Sequence, residues 1–171
     1  MDMKTKLFGF TVIELMVTMA VATILISSSI PSLKAFYSHA RSDSNIRKIQ
    51  QSVQLARNHA VAYGLRVTVC PLEAKKCTDN WQKNITVFTD SGDSNILDGN
   101  DQVIYSIGPF SDRDTISYNR AAIRFQPEGL ASGTNGTLRY CPDLLDSEYS
   151  RAVIVNQSGR VRFSNKSVDC Q

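Results

Sequence analysis

The chain carries little of what catalysis needs. Its two histidines, His39 and His59, fall on one predicted helix, and neither has a Cys or Asp set beside it suited to nucleophilic chemistry. Both read as solvated or stem-packing side chains, and no enzyme activity is expected. The four cysteines, Cys70, Cys77, Cys141 and Cys170, include no C-x-x-C pair, which argues against zinc. Acidic residues gather in Asp90-Ser91-Gly92-Asp93-Ser94-Asn95 and Asp98-Gly99-Asn100-Asp101 but miss the D-x-[DN]-x-[DN]-G spacing of a calcium loop. Hairpin turns explain them better, so no metal or cofactor is expected. There are no repeats and no low-complexity tracts. The one tryptophan, Trp81, reads as lid or core rather than a stacking platform.

A formal net charge of +3 says little about partners, but its distribution says more. From Ser32 to Cys77 there are eight Lys/Arg against two acids; from Thr78 to Asp114, two against seven; from Thr115 to Gln171, seven against five. A basic stem thus precedes an acidic middle and a mildly basic C-terminal part. A basic stretch beside a membrane also reads as a solvated or lipid-facing surface.

What is present in quantity is one apolar run, from Phe10 to Ile30-Pro31, behind a short leader carrying Lys4 and Lys6. Its length matches the roughly 20 residues a helix needs to cross a bilayer. An ordinary secretory signal has a shorter apolar core; Ser27-Ser28-Ser29 offers such a cleavage site but leaves Glu14 unexplained. A lone carboxylate costs about 2.5–3.5 kcal/mol at the centre of a membrane helix and less near its end. Glu14 is therefore a functional candidate, with snorkelling to the headgroups as the plainer reading.

Gly9-Phe10-Thr11-Val12-Ile13-Glu14-Leu15 resembles the processing site of type IV pilins and pseudopilins. The resemblance implies cleavage after Gly9 by a prepilin peptidase and methylation of the new N-terminal Phe10. It also implies that Glu14 pairs with the Phe10 amine of a neighbouring subunit and sets filament register. An amine and a carboxylate that pair in low dielectric offset part of each other's burial cost. The implied layout is leader 1–9, membrane or filament-core helix 10–31, amphipathic continuation 32–64 and β-rich head 65–171. The implied location is the inner membrane, single-pass, with a periplasmic head, and then the cell surface after assembly. Other pilin subunits, the peptidase and inner-membrane lipid are the implied partners.

Along the chain, Pro31 is expected to kink the helix rather than end it. Ile46, Ile49, Val53, Ala56 and Ala60 recur at helical spacing and predict a buried stripe, with Gly64 as C-cap. Beyond Gly64 the period drops to two. Strands are predicted at 66–70, 85–88, 102–105, 115–118, 122–125, 137–140, 152–155 and 160–163. No helical pattern alternates with them, so the sheet should be antiparallel. The expected fold is α+β: a long N-terminal helix, apolar half protruding and amphipathic half packed, on an antiparallel β-rich head, a pilin-like lollipop. An even cysteine count in a translocated chain suggests two disulfides. Three connectivities are possible. The local one, Cys70–Cys77 with Cys141–Cys170, is expected, its larger loop worth very roughly 3–4 kcal/mol in the chain-entropy model.

Leu55-Ala56-Arg57-Asn58-His59-Ala60, Val67-Thr68-Val69-Cys70-Pro71 and Arg151-Ala152-Val153-Ile154-Val155 resemble FimT-type minor pilins and GspH-type pseudopilins. Gly159-Arg160-Val161-Arg162 resembles the Gly-Arg-x-Arg motif with which the FimT-type branch binds DNA during uptake in natural transformation. The physics agrees. Alternate strand residues share a face about 7 Å apart, close to the phosphate spacing along one DNA strand. Gly159 would supply the turn, and Lys166 and Arg151 would extend the patch. The binding implied is electrostatic and sequence-independent. Two exposed arginines can also simply keep a sheet edge soluble. The competing role is a GspH-type pseudopilin, a structural subunit of a type II secretion pseudopilus without DNA binding.

Overall fold

Thr11 opens the long helix. In the computed structural model, which describes Gly9 and residues 11–131, 133–166 and 168–170, its hydroxyl accepts from the Glu14 N–H at 3.3 Å and its carbonyl from the Leu15 N–H at 3.1 Å. Thr-x-x-Glu is the capping-box pattern, so Glu14 also occupies a favourable first-turn position. Helix α1 runs Val12–Tyr63 and continues through position 31. At its end Gly64 takes φ 64° and the Leu65 N–H reaches the Ala60 carbonyl at 3.2 Å, a left-handed C-cap.

The chain divides into two compact units, one ending at Tyr37 and one running Ser38–Gln171. In the first, Val12, Ile13, Met16, Ile24 and Ile30 are all exposed. Thr18, Thr23 and Ser27 turn their hydroxyls back onto carbonyls three residues earlier, at 2.8–2.9 Å. Polar groups satisfied within the helix are compatible with an apolar environment. The described part of α1 is long and apolar enough to cross a membrane.

The second unit is built on antiparallel strands. β1 (Val67–Cys70), β2 (Leu72–Glu73), β3 (Lys76–Cys77), β4 (Ile85–Thr89), β5 (Val103–Ile107), β6 (Thr115–Tyr118), β7 (Ile123–Phe125), β8 (Gly136–Cys141), β9 (Arg151–Val155) and β10 (Val161–Phe163) follow in order. They form one sheet β5-β4-β1-β7, a second β10-β9-β8-β6 and the small hairpin β2-β3. One long helix followed by antiparallel sheets makes the fold α+β. Ile46, Ile49, Val53, Ala56 and Ala60 of α1 share one core with Val67, Val69, Val87, Phe125, Leu138, Tyr140 and Val153. Burying a large apolar side chain of this kind contributes roughly 1.5–3 kcal/mol. Trp81 belongs to that core, 1% exposed, with its indole N–H donating to the Arg120 carbonyl at 3.2 Å.

Cys70 bonds to Cys77 and Cys141 to Cys170. The first bridge closes the β2-β3 hairpin, whose tip residues Ala74 and Lys75 sit at φ 45° and 68°. No strand is predicted here from sequence, because two-residue strands are too short to show a period.

A polar cluster ties the start of the second unit's helical part to the sheet β10-β9-β8-β6. Arg41 reaches Asp114 and Asp143, each at 2.9 Å, and the Asp114 side chain is fully buried. Tyr140 donates its hydroxyl proton to Asp114 and accepts from the Asn45 amide at 2.8 Å. Ser38 donates to Asp143, and Ser42 to the Tyr149 carbonyl. Burial works against the Arg41 charge, but Asp143 and Asp114 more than offset it and raise its pKa. The Ser38 hydrogen bond, joined by the Arg41 guanidinium, holds Asp143 below the usual carboxylate range against a burial that would raise it.

Candidate nucleic-acid interface

The hairpin between β9 and β10 turns at Asn156–Gly159. The Gly159 N–H donates to the Asn156 carbonyl at 2.8 Å and the Asn156 N–H to the Arg160 carbonyl at 3.0 Å. Gly159 sits at φ 75°, and a Cβ there would lie 1.8 Å from the Gly129 carbonyl oxygen. Only glycine fits both the backbone angle and the close approach. The turn is also held from outside. Arg57 of α1 donates through Nε to the Gly129 carbonyl at 3.2 Å and through Nη2 to the Ser158 carbonyl at 3.3 Å. The Ala131 N–H donates to the Gln157 carbonyl at 3.0 Å. Arg57 is thus occupied in clamping the turn.

Beyond the turn, β10 is an edge strand, paired among the described residues only with β9: Val161 opposite Val155, Arg162 opposite Ile154, Phe163 opposite Val153. Val161 and Phe163 pack against the core, and the Phe163 ring lies 6.0 Å from the Arg47 guanidinium. Period two therefore sends Arg160 and Arg162 to the outward face. Both are exposed, and neither side chain has a hydrogen-bond or ion-pair partner among the described residues. Lys166, past the strand, is exposed, and its bonds to Ser164 run through its backbone. Asp146 and Glu148 line the same cleft as Lys166, which lowers its value as part of a purely basic patch.

Arg151 lies elsewhere. It pairs across the sheet with Tyr140, a core residue, so it stands on the inward face, opposite to Arg162. There it meets Asp43 of α1 at 3.6 Å and donates to the Ser150 carbonyl at 2.9 Å. The expectation that Arg151 extends the arginine patch is corrected by the register: 151 and 162 differ in face.

The outward face of the same sheet holds a residue outside the set expected from sequence. Arg139 alternates with the core residues Leu138 and Tyr140 and shares its face with Thr137 and, across the β6 register, Ser117. Arg139 is half-buried and has no side-chain partner among the described residues. The available signal is the alternation of Thr137-Leu138-Arg139-Tyr140, whose apolar members mark the strand and whose polar members mark its outward face.

The remaining candidates take structural places. Asp90 is buried, 3.4 Å from the Arg124 guanidinium, and accepts from Thr68. Asp101 accepts from the Ser91 N–H at 2.8 Å and the Ser91 hydroxyl at 2.7 Å. Burial alone would raise the Asp101 pKa, but these bonds overcome it and lower the pKa. The carboxylates thus brace their own turns. His39 meets the Tyr149 ring edge-on at 5.6 Å, and His59 lies 4.3 Å from the Tyr63 ring. Gly9 and Glu14 are exposed; Phe10, the expected mature N-terminus, lies outside the described residues, as do leader residues 1–8.

A family model described as Type II transport protein GspH matches residues 45–159. Two crystal structures of the type IV minor pilin FimU from Pseudomonas aeruginosa (strain PAO1) are similar in fold. One has a TM-score of 0.60 at 18% identity, covering 75% of this chain and 94% of that one. The other has a TM-score of 0.59 at 18% identity, covering 75% and 99%. No curated protein matches the chain.

Proposed function

The chain belongs to the Type II transport protein GspH family and is a type IV minor pilin or pseudopilin, and from that premise we propose that it works in the pilus branch, as a FimT-like minor pilin that binds DNA for uptake. Proteins of this family are structural subunits that assemble with other pilins, anchored by an apolar N-terminal helix. In the proposed cycle a prepilin peptidase cuts after Gly9, Phe10 is methylated, and the apolar part of α1 leaves inner-membrane lipid for the filament core. Glu14 then sets register against the neighbouring amine, and the head, periplasmic before assembly, reaches the cell surface on the pilus.

One observation carries the DNA reading. Arg160, just before the edge strand β10, and Arg162 within it share one face, without side-chain partners among the described residues, behind a turn that Gly159 and Arg57 hold in place. A planar guanidinium takes phosphate oxygens two at a time, and a fixed backbone limits the entropy lost on binding. The interaction would follow the phosphate backbone and be indifferent to base sequence.

The test uses the full chain in uncharged detergent micelles and a short mixed-sequence duplex followed by fluorescence anisotropy. Arg160→Gln with Arg162→Gln should weaken binding roughly 30-fold at low salt, since removing each arginine–phosphate pair costs about 1 kcal/mol. Thermal stability should be unchanged. Retained affinity in the double variant would remove the assignment. The second reading, a GspH-type pseudopilin without DNA binding, draws on the description of the matching family model. It predicts no duplex binding by the unaltered chain even at low salt.

A further inference from the structure

We propose that Arg139 is a third phosphate-binding residue, and that the DNA path runs diagonally over the outward face of β10-β9-β8 rather than along the β10 edge alone. The proposal rests on the DNA reading above and gives that site its footprint.

The register fixes the placement. Arg162 stands opposite Ile154, and Ile154 opposite Thr137, so these three form one row across three strands. Arg139 is two residues further along β8, on the same face as Thr137. Strands about 4.8 Å apart and residues about 3.4 Å apart put the Arg139 and Arg162 backbones roughly 12 Å apart. Arg160 lies on the opposite side of that row, so Arg160, Arg162 and Arg139 form a diagonal about 17 Å from end to end. Phosphates along one DNA strand repeat at about 7 Å, so the track spans two to three phosphate steps.

Two features single Arg139 out from an ordinary surface arginine. It is half-buried yet makes no side-chain hydrogen bond or ion pair among the described residues. A cation in that position gains more from an external anion than a fully hydrated one, since part of its hydration is already removed. The strand positions of its face also carry no opposing charge, and the acids Asp146 and Glu148 lie in the cleft beyond Ser164. The outward positions of the four strands are Thr115, Ser117, Thr137, Arg139, Cys141, Ala152, Ile154 and Arg162, with no carboxylate among them. The bridge from Cys141 to Cys170 holds the C-terminal tail at the β6 end of β8, and the Cys170 Sγ lies 3.8 Å from the Thr115 carbonyl. The tail thereby bounds the track on that side; toward β10 the row continues through Ala152, a small residue 1% exposed that leaves Arg139 as the projecting side chain. Arg151, of the same charge and one strand away, faces inward and is excluded.

The test compares Arg139→Gln, Lys83→Gln and Arg160→Gln with Arg162→Gln in the full chain in uncharged micelles, against one mixed-sequence duplex over a range of salt. Lys83 is a surface cation near the β2-β3 hairpin, beside Glu73 at 3.2 Å, and controls for net charge. Arg139→Gln should weaken low-salt binding roughly three- to tenfold and reduce the log–log salt slope by about 0.9, the signature of one fewer phosphate neutralised. Lys83→Gln should change neither. Wild-type affinity and slope in Arg139→Gln, with binding weakened roughly 30-fold in the Arg160/Arg162 variant, would overturn the third phosphate site and leave the hairpin assignment standing. An equal weakening in Lys83→Gln would also overturn it, by showing that bulk charge alone is sensed. Binding retained in the Arg160/Arg162 variant would refute the DNA site itself.

Discussion

Arg41→Ala is expected to destabilise the second unit by about 3 kcal/mol or more, the cost of leaving one member of a buried ion pair unmatched. Asp114 has no exposed side-chain surface, and Arg41 is its only charged neighbour at ion-pair distance among the described residues. Its other partner, the Tyr140 hydroxyl, spreads the carboxylate charge without neutralising it. Asp143 keeps Ser38 and, at 3.8 Å, Arg113, so it loses less. Arg41→Met, which keeps the apolar stem, separates charge from packing: it should recover only a small part of the stability. Denaturant unfolding at neutral pH reads the effect. The Asp143 pKa is lowered in the folded state, so its contribution is present above the unfolded value near 3.8 and disappears as pH falls through the folded value. The gap between wild type and Arg41→Ala should therefore narrow in acid. A full-size gap persisting well below the carboxylate range would show that the effect is one of packing.

Glu14→Gln should leave the chain in the membrane while lowering its recovery in sheared pili more than tenfold. Glutamine keeps the size of the side chain and serves the capping box as well as glutamate does, so the 3.3 Å bond from the Glu14 N–H to Thr11 is preserved. What it removes is the charge. In the proposed assembly that charge neutralises the amine of Phe10 on a neighbour, and breaking such a pair in low dielectric costs about 3–5 kcal/mol. Membrane insertion itself should improve, because a neutral side chain is easier to bury. Immunoblots of membrane and sheared-pilus fractions give both numbers. Normal recovery in pili would assign Glu14 to helix capping alone.

The two periods in the sequence made much of this fold legible. The stripe Ile46, Ile49, Val53, Ala56 and Ala60 and the alternating segments after Gly64 are physical consequences of helix and strand geometry, and each has its counterpart in the core. Face assignment was harder. Arg151 and Arg162 are alike in charge and strand context by sequence, and only the register through Tyr140 and Ile154 separates them. The role of Arg57 depends on partners seventy to a hundred residues away, at Gly129 and Ser158, which no local pattern encodes. The Arg41–Asp114–Asp143 cluster was hidden for the same reason: its members come from three segments, each ordinary alone. Thr11-x-x-Glu14 was legible and has a local meaning in addition to the one the membrane context gives Glu14.

The salt dependence of duplex binding by the unaltered full chain tests the central claim most directly. Three arginines on phosphates predict a log–log slope of about −2.7, the same for duplexes of unrelated sequence. No binding at low salt, or a slope near zero, would contradict it.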